Sequence, residues 1–339
     1  MRRRTVALTT AAMVASVLQP FAGSAAAQTP AVATMSAQSA TALAAETGEP
    51  VEVVGERSEY SLTMANPDGT YTLTQSTTPQ RARGEDGSWR SIDATLERRS
   101  DGSLGPKSTV VDLSFSGGGA GKDLIRLASP KGAIELGWPG TLPEPTLDGA
   151  TATYPEVYEG VDLQLTATPE GFREVLVVKS AQAAVNPKLN EIKLSVTGGG
   201  LAVQPGAGGG LRAVDEDGNA VFTGPAGQMW DSAGDGGAQP QLLSSAAAEG
   251  PVPVTEDPSQ PGKGDAIAEL PVEVNGDAVV VKPDADLLRG QETVYPVYID
   301  PPFGLGASER SVISSDGDRF WQFNGDYGVG RCYRVGPWY

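Results

Sequence analysis

Two carboxylates can hydrolyse a glycosidic bond without a histidine, one as acid and the other as base or nucleophile. Asp162 and Glu174 are the residues of this chain best spaced for such work. They lie on neighbouring runs that read as strands, Val161-Asp162-Leu163-Gln164-Leu165 and Glu174-Val175-Leu176-Val177-Val178, and can face one another. The competing reading places each on the solvent face of an alternating strand beside buried Val161, Leu163 and Val175. That reading carries more weight, because alternation makes a sheet and not a cleft. What the chain lacks narrows the rest. Among 339 residues there is no histidine and one cysteine, Cys332. The usual base for a serine nucleophile is missing, and no G-x-S-x-G elbow occurs.

Other polar clusters read more simply as turns. Asp215-Glu216-Asp217-Gly218-Asn219 gathers oxygen ligands suited to Ca²⁺ but lacks the distal bidentate Glu of an EF-hand loop. The runs Leu211 to Val214 and Ala220 to Phe222 around it favour a hairpin. Asp316-Gly317-Asp318 reads the same way. Gly117-Gly118-Gly119-Ala120-Gly121-Lys122 has neither the spacing nor the following Ser or Thr of a phosphate loop, and Gly198 to Gly200 and Gly208 to Gly210 are equally loop-like. Trp89, Trp138, Trp230 and Trp321 are weak candidates for glycan contact, since exposed indole rings stack on sugars, although a core role is favoured for each. No catalytic, cofactor-binding or metal-ligating residue is assigned, and no cofactor is expected.

The elements that must position these residues are strands. Tyr60 to Met64, Tyr71 to Thr74, Val161 to Leu165 and Ile192 to Val196 alternate with period two. Asp-Gly or Asn-Gly occurs nine times, beginning at Asp68, Asp86, Asp101, Asp148, Asp217, Asp235, Asn275, Asp316 and Asn324. These dipeptides accept the positive φ of tight hairpin turns. No sustained helical stripe is present, and only Asp284 to Arg289 suggests a helical turn. The expected fold is all-β, a large antiparallel β-sandwich over 51–307. A Gly/Pro-rich stretch at 231–264 interrupts it. An insertion is favoured over a linker there, because the three later strand-like runs, Leu270 to Val274, Ala278 to Val281 and Thr293 to Ile299, are too few to bury a core alone.

The N-terminus reads as a signal peptide over residues 1–27. Arg2, Arg3 and Arg4 precede a short apolar stretch and the Ala25-Ala26-Ala27 cleavage pattern, with the cut between Ala27 and Gln28. The apolar stretch is too short for a membrane span. Residues 28–50, rich in Ala, Thr and Ser, read as a disordered leader. The formal net charge of −17 disfavours nucleic acid and anionic lipid as partners. One cysteine closes no disulfide within the chain.

Four blocks carry a resemblance. They are Gly87-Ser88-Trp89 with Ile92 to Leu96; Leu136 to Pro143; Tyr154 to Tyr158 through Gly160 to Leu163 and on to Glu174 to Val178; and Tyr295 to Pro301 with Ile313 to Asp316. Over roughly residues 50–330 the chain resembles the N-terminal β-sandwich region of large secreted actinobacterial proteins, which precedes LamG-type (concanavalin A-like) jelly-roll domains or RHS-repeat and polymorphic-toxin regions. The resemblance implies a secreted, modular architecture and brings no catalytic residues. It also implies further chain and further cysteines after the Asp-Gly-Asp-Arg-Phe-Trp block, so 308–339 reads as the start of a truncated second module with Cys332 its orphan. The expected function is a non-enzymatic presenting, spacer or interaction region of a larger extracellular protein, in contact with polysaccharide or cell-envelope components. The alternatives are a lectin-like carbohydrate-binding accessory protein and a carboxylate-dependent glycoside hydrolase.

Overall fold

The computed structural model describes residues 36–84, 86–120, 123–234, 260–301, 305–306, 311–313 and 319–321. The protein is all-β. The described residues open with helix α1 (Ala37–Thr47) and a small sheet of β1 (Val51–Glu52), β2 (Ser61–Ala65) and β3 (Tyr71–Gln75), followed by the hairpin β4 (Arg81–Arg83) and β5 (Trp89–Ser91). A five-strand meander follows: β6 (Asp93–Arg98), β7 (Leu104–Ser108), β8 (Asp112–Phe115), β9 (Asp123–Ser129) and β10 (Gly132–Gly137). A second meander comprises β11 (Thr146–Asp148), β12 (Thr151–Tyr158), β13 (Val161–Thr168) and β14 (Gly171–Val178). The short helix α2 (Ala181–Ala184) leads to β15 (Ile192–Gly199), which returns to β10. A three-strand sheet of β16 (Ala202–Pro205), β17 (Leu211–Val214) and β18 (Ala220–Gly224) comes next.

The last third of the chain completes both large sheets. β19 (Gly227–Trp230) pairs with β20 (Ile267–Leu270), and β21 (Val272–Asn275) with β22 (Ala278–Val281). Helix α3 (Ala285–Arg289), capped by Asp284, precedes β23 (Val297–Asp300); β24 (Ser311–Ile313) and β25 (Arg319–Trp321) form a separate pair. One sheet has eight strands in the order β21-β22-β15-β10-β9-β8-β7-β6; the other has seven, β11-β12-β13-β14-β23-β19-β20. Their pairings are antiparallel. The stretch 231–264 leaves β19 and returns to β20, its direct neighbour, so it stands within one sheet. Residues 235–259 of it lie outside the described residues.

One apolar core fills the space between the sheets. Leu113, Phe115, Ile125, Leu127, Ile134 and Leu194 come from the first, and Tyr154, Leu163, Leu165, Leu176, Val297 and Ile299 from the second. Phe115 and Phe172 meet edge to face across the gap, with ring centres 6.3 Å apart. The Tyr154 hydroxyl donates to the Ser116 carbonyl at 2.6 Å, so a deeply placed phenol keeps its hydrogen bond. The described Asp-Gly and Asn-Gly pairs at 68, 86, 101 and 217 lie in turns, and those at 148 and 275 end a strand and begin a turn. Gly149 and Gly276 adopt φ of 54° and 62° there, the left-handed region that a two-residue hairpin needs.

The disordered-leader expectation for residues 28–50 is corrected over 36–47. Ser36 accepts from Ser39 N at the N-cap, Gly48 closes the C-terminus at φ 74°, and Ala40 and Ala44 are buried against Val53 and Ala65. The packing face is made of alanines, which leave no apolar stripe to read. Residues 28–35, the 1–27 segment with Ala27, and most of 308–339, including Cys332, lie outside the described residues. Among the described residues no helix is long and apolar enough to cross a membrane.

Candidate functional site

Asp162 and Glu174 do not face one another. β13 and β14 pair Asp162 with Val177 and Glu174 with Leu165, which sets the two carboxylates on opposite faces of the sheet. Asp162 stands on the outer face. Its Oδ1 accepts from the Glu156 backbone N–H at 2.8 Å and lies 2.7 Å from Lys179 Nζ. Glu156 occupies left-handed backbone at φ 54°, and its carboxylate accepts from Gly160 N at 2.6 Å and from Lys179 at 2.8 Å. Burial works against the Lys179 ammonium, but its bonds to Asp162 and Glu156 prevail and raise its pKa. The Lys179 hydrogen bond holds the Glu156 carboxyl below its ordinary value. The cluster pins an irregular β12–β13 connection.

Glu174 corrects the solvent-face expectation. It is fully buried on the core face between Phe172 and Leu176, and neither carboxyl oxygen has a hydrogen-bond partner. β14 is covered on both faces, since outward Val175 is also buried. The strand therefore lacks the clean alternation that would assign a wet side. Burial, joined by the negative charge of Asp300, pushes the Glu174 carboxyl up to about 8. A protonated acid sealed between two sheets reaches no substrate.

The outer face of the seven-stranded sheet carries a cluster that the sequence did not announce. Trp230 stacks on Tyr298 at 5.6 Å, with Val175 beside them, and all three are buried. Arg173 and Asp300, 127 positions apart, meet at 2.6 Å on the same face. Burial pushes Asp300 up to about 6, and the Arg173 guanidinium works against that shift. Buried Asp231 accepts at Oδ1 from Ala266 N (2.8 Å) and Ala233 N (3.2 Å), and at Oδ2 from Val294 N (3.2 Å). Asp265 accepts from Gly234 N and Gly262 N. Together the two aspartates clasp the base of the 231–264 insertion. No local pattern marks this knot, because the groups that meet in it are far apart in sequence.

The four tryptophans divide. Trp138 stacks on Tyr158 at 5.4 Å and is buried, as is Trp230, so neither ring offers a face to a sugar. Trp89 is half-buried, with the Arg83 guanidinium 4.2 Å from its ring centre. Trp321 lies on β25 opposite Ser311. Asp215 closes the β17–β18 hairpin by accepting from Asn219 N and Asp217 N; the Asn219 bond is the main reason its carboxyl sits below the ordinary value. Among the described residues no three metal-ligating side chains cluster. Asp316 to Asp318, Gly121 and Lys122 lie outside the described residues.

A polar cleft of about 320 Å³ opens on the eight-stranded sheet, lined by Asp101, Ser103, Ser114, Ser116, Asp123 and Arg126, with Phe115 and Gly117. Ser114 and Arg126 are register partners on β8 and β9. Arg126 also bonds Asp112 at 2.8 Å, which fixes its guanidinium at the cleft. Hydroxyls, carboxylates and a guanidinium in one depression can hydrogen-bond a hydroxylated ligand. No family model, no curated protein and no solved structure matches the chain.

Proposed function

We propose that this chain is a secreted, non-catalytic β-sandwich module that serves as a presenting or interaction region in a larger extracellular protein. The observation that supports it most is the placement of Asp162 and Glu174 on opposite faces of one sheet. The one hydrolytic pair suggested by a histidine-free chain is thereby taken apart: Asp162 is held by Lys179, and Glu174 is closed into the core. The four blocks resembling secreted actinobacterial β-sandwich regions supply the extracellular and modular context. Turnover assays on a polysaccharide panel test the reading. The expected result is no hydrolysis by the full chain. Hydrolysis abolished by both Asp162→Asn and Glu174→Gln would replace this reading with the hydrolase.

The cleft of Asp101, Asp123 and Arg126 favours one second reading, glycan binding without catalysis. Under it a soluble oligosaccharide binds in calorimetric titration, and Asp123→Asn or Arg126→Ala weakens that binding at least tenfold. Silence across the panel ends it. The binding leaves tryptophan fluorescence unchanged, because no tryptophan lines the cleft.

A further inference from the structure

Strand β3 is the outer strand of the small N-terminal sheet, in the order β1-β2-β3. Its five residues, Tyr71-Thr72-Leu73-Thr74-Gln75, are all exposed, and Tyr71 and Leu73 retain 50% and 58% of their surface. The backbone groups on its free edge follow from the ladder. Val53 N donates to the Thr63 carbonyl, so Thr63 turns its backbone toward β1 and forms a non-hydrogen-bonded pair with Leu73. By alternation, the N–H and C=O groups of Tyr71, Leu73 and Gln75 point away from β2. An edge of this kind is a template for another strand.

The edges of the two large sheets carry protection that β3 lacks. β6 bears Asp93, Glu97 and Arg98 and shifts register between Asp93 and Leu96. β20 carries Glu269, and β21 carries Glu273, bonded to Lys282. β11 is three residues long and ends in Asp148. β3 has no charge, no proline and no bulge, and the sequence stays uncharged from Gly69 to Gln80. Helix α1 extends the neutral surface: Thr41 bonds the Tyr71 hydroxyl at 2.8 Å, and Glu46 is the one charged residue in the helix.

We infer that β3 pairs with β3 of a second copy of this chain, antiparallel about a two-fold axis centred on Leu73. Charge selects this occupant. A basic partner is drawn to the many carboxylates of a chain with net charge −17, whereas an equally acidic second copy approaches best where none stands. The register is self-complementary. Leu73 exchanges both backbone bonds with its symmetry mate, Tyr71 does so with Gln75, and the apolar side chains of the two copies share one face beside α1. The interface is small and therefore transient, with dissociation on the order of tens of micromolar.

Sedimentation of the full chain across that range is expected to show a monomer–dimer equilibrium. Leu73→Pro removes an outward N–H that β2 does not use, and Leu73→Lys places two ammonium groups across the axis; each abolishes the dimer while circular dichroism stays that of the parent. An equimolar mixture of Leu73→Lys and Leu73→Glu restores it, which a merely misfolded variant does not do. A monomer at every concentration overturns the proposal and leaves the edge to a strand of another protein. A dimer indifferent to all three variants also overturns it, because association then runs through another surface.

Discussion

The Glu174 carboxyl lies between Phe172 and Leu176 with no hydrogen-bond partner, and its pKa of about 8 in the fold compares with 4.5 as the ordinary value. The fold holds this proton more tightly than the unfolded chain does. Unfolding therefore becomes easier as pH rises from about 4.5 to about 8, by up to about 1.4 kcal/mol per pH unit. Asp300, raised to about 6, acts in the same direction over a lower window. Glu52, held low by its hydrogen bond to Arg57, acts oppositely, and its contribution is lost at acid pH. The two buried acids, Glu174 and Asp300, thus favour the fold most on the acid side of neutrality. Glu174→Gln is expected to match the parent near pH 4.5 and to exceed it by about 2–4 kcal/mol at pH 8, read by urea unfolding at both pH values. A parent that gains stability from pH 5 to 8 would contradict this. Tryptophan substitutions separate core from surface. Trp230→Ala costs about 3–5 kcal/mol, and Trp89→Ala, half-buried and under Arg83, about 1 kcal/mol. Equal losses in thermal unfolding would mean that Trp89 is better packed than its exposure indicates.

At the scale of elements, β2, β3, β13 and β15 were legible because their runs alternate with period two. β13 alternates buried and half-buried residues along Val161–Thr168, as period two requires. α3 follows its Asp284 cap, whose side chain accepts from Leu287 N. α1 was not legible: its contact surface is two alanines, and composition alone suggested a flexible leader. The insertion base depends on Asp231 in a way no local pattern reveals. Asp231→Ala leaves the N–H groups of Ala233, Ala266 and Val294 without that acceptor and costs about 3 kcal/mol. The expected readout is faster proteolytic cleavage within 260–266, with the strands of the eight-stranded sheet still protected from hydrogen exchange. Loss of protection throughout would mean that the clasp supports the whole sandwich.

For the whole molecule, the return of β22 to β15 and of β23 to a place between β14 and β19 joins the late strands to the early ones. One core spans both sheets, so unfolding should be a single transition with coincident fluorescence and circular dichroism curves. A chain ending after Trp230 lacks β20 to β23. It is expected to bind a hydrophobic dye and to show no cooperative melt; a sharp melt would show that the two meanders suffice. By itself the sequence determined the all-β class, the hairpin turns at Asp-Gly and Asn-Gly, the short helix after Asp284 and the acidic charge. Each of these depends on neighbouring residues or on a sum over all of them. Only the tertiary structure decided which face each carboxylate takes. Alternation fixes that Asp162 and Leu163 point oppositely, but not which of β14's two covered faces meets the eight-stranded sheet. Burial of Glu174 and the meeting of Arg173 with Asp300 are set by strands distant in sequence, and β3 stands at an edge because only β2 pairs with it among the described residues; no local pattern carries that information.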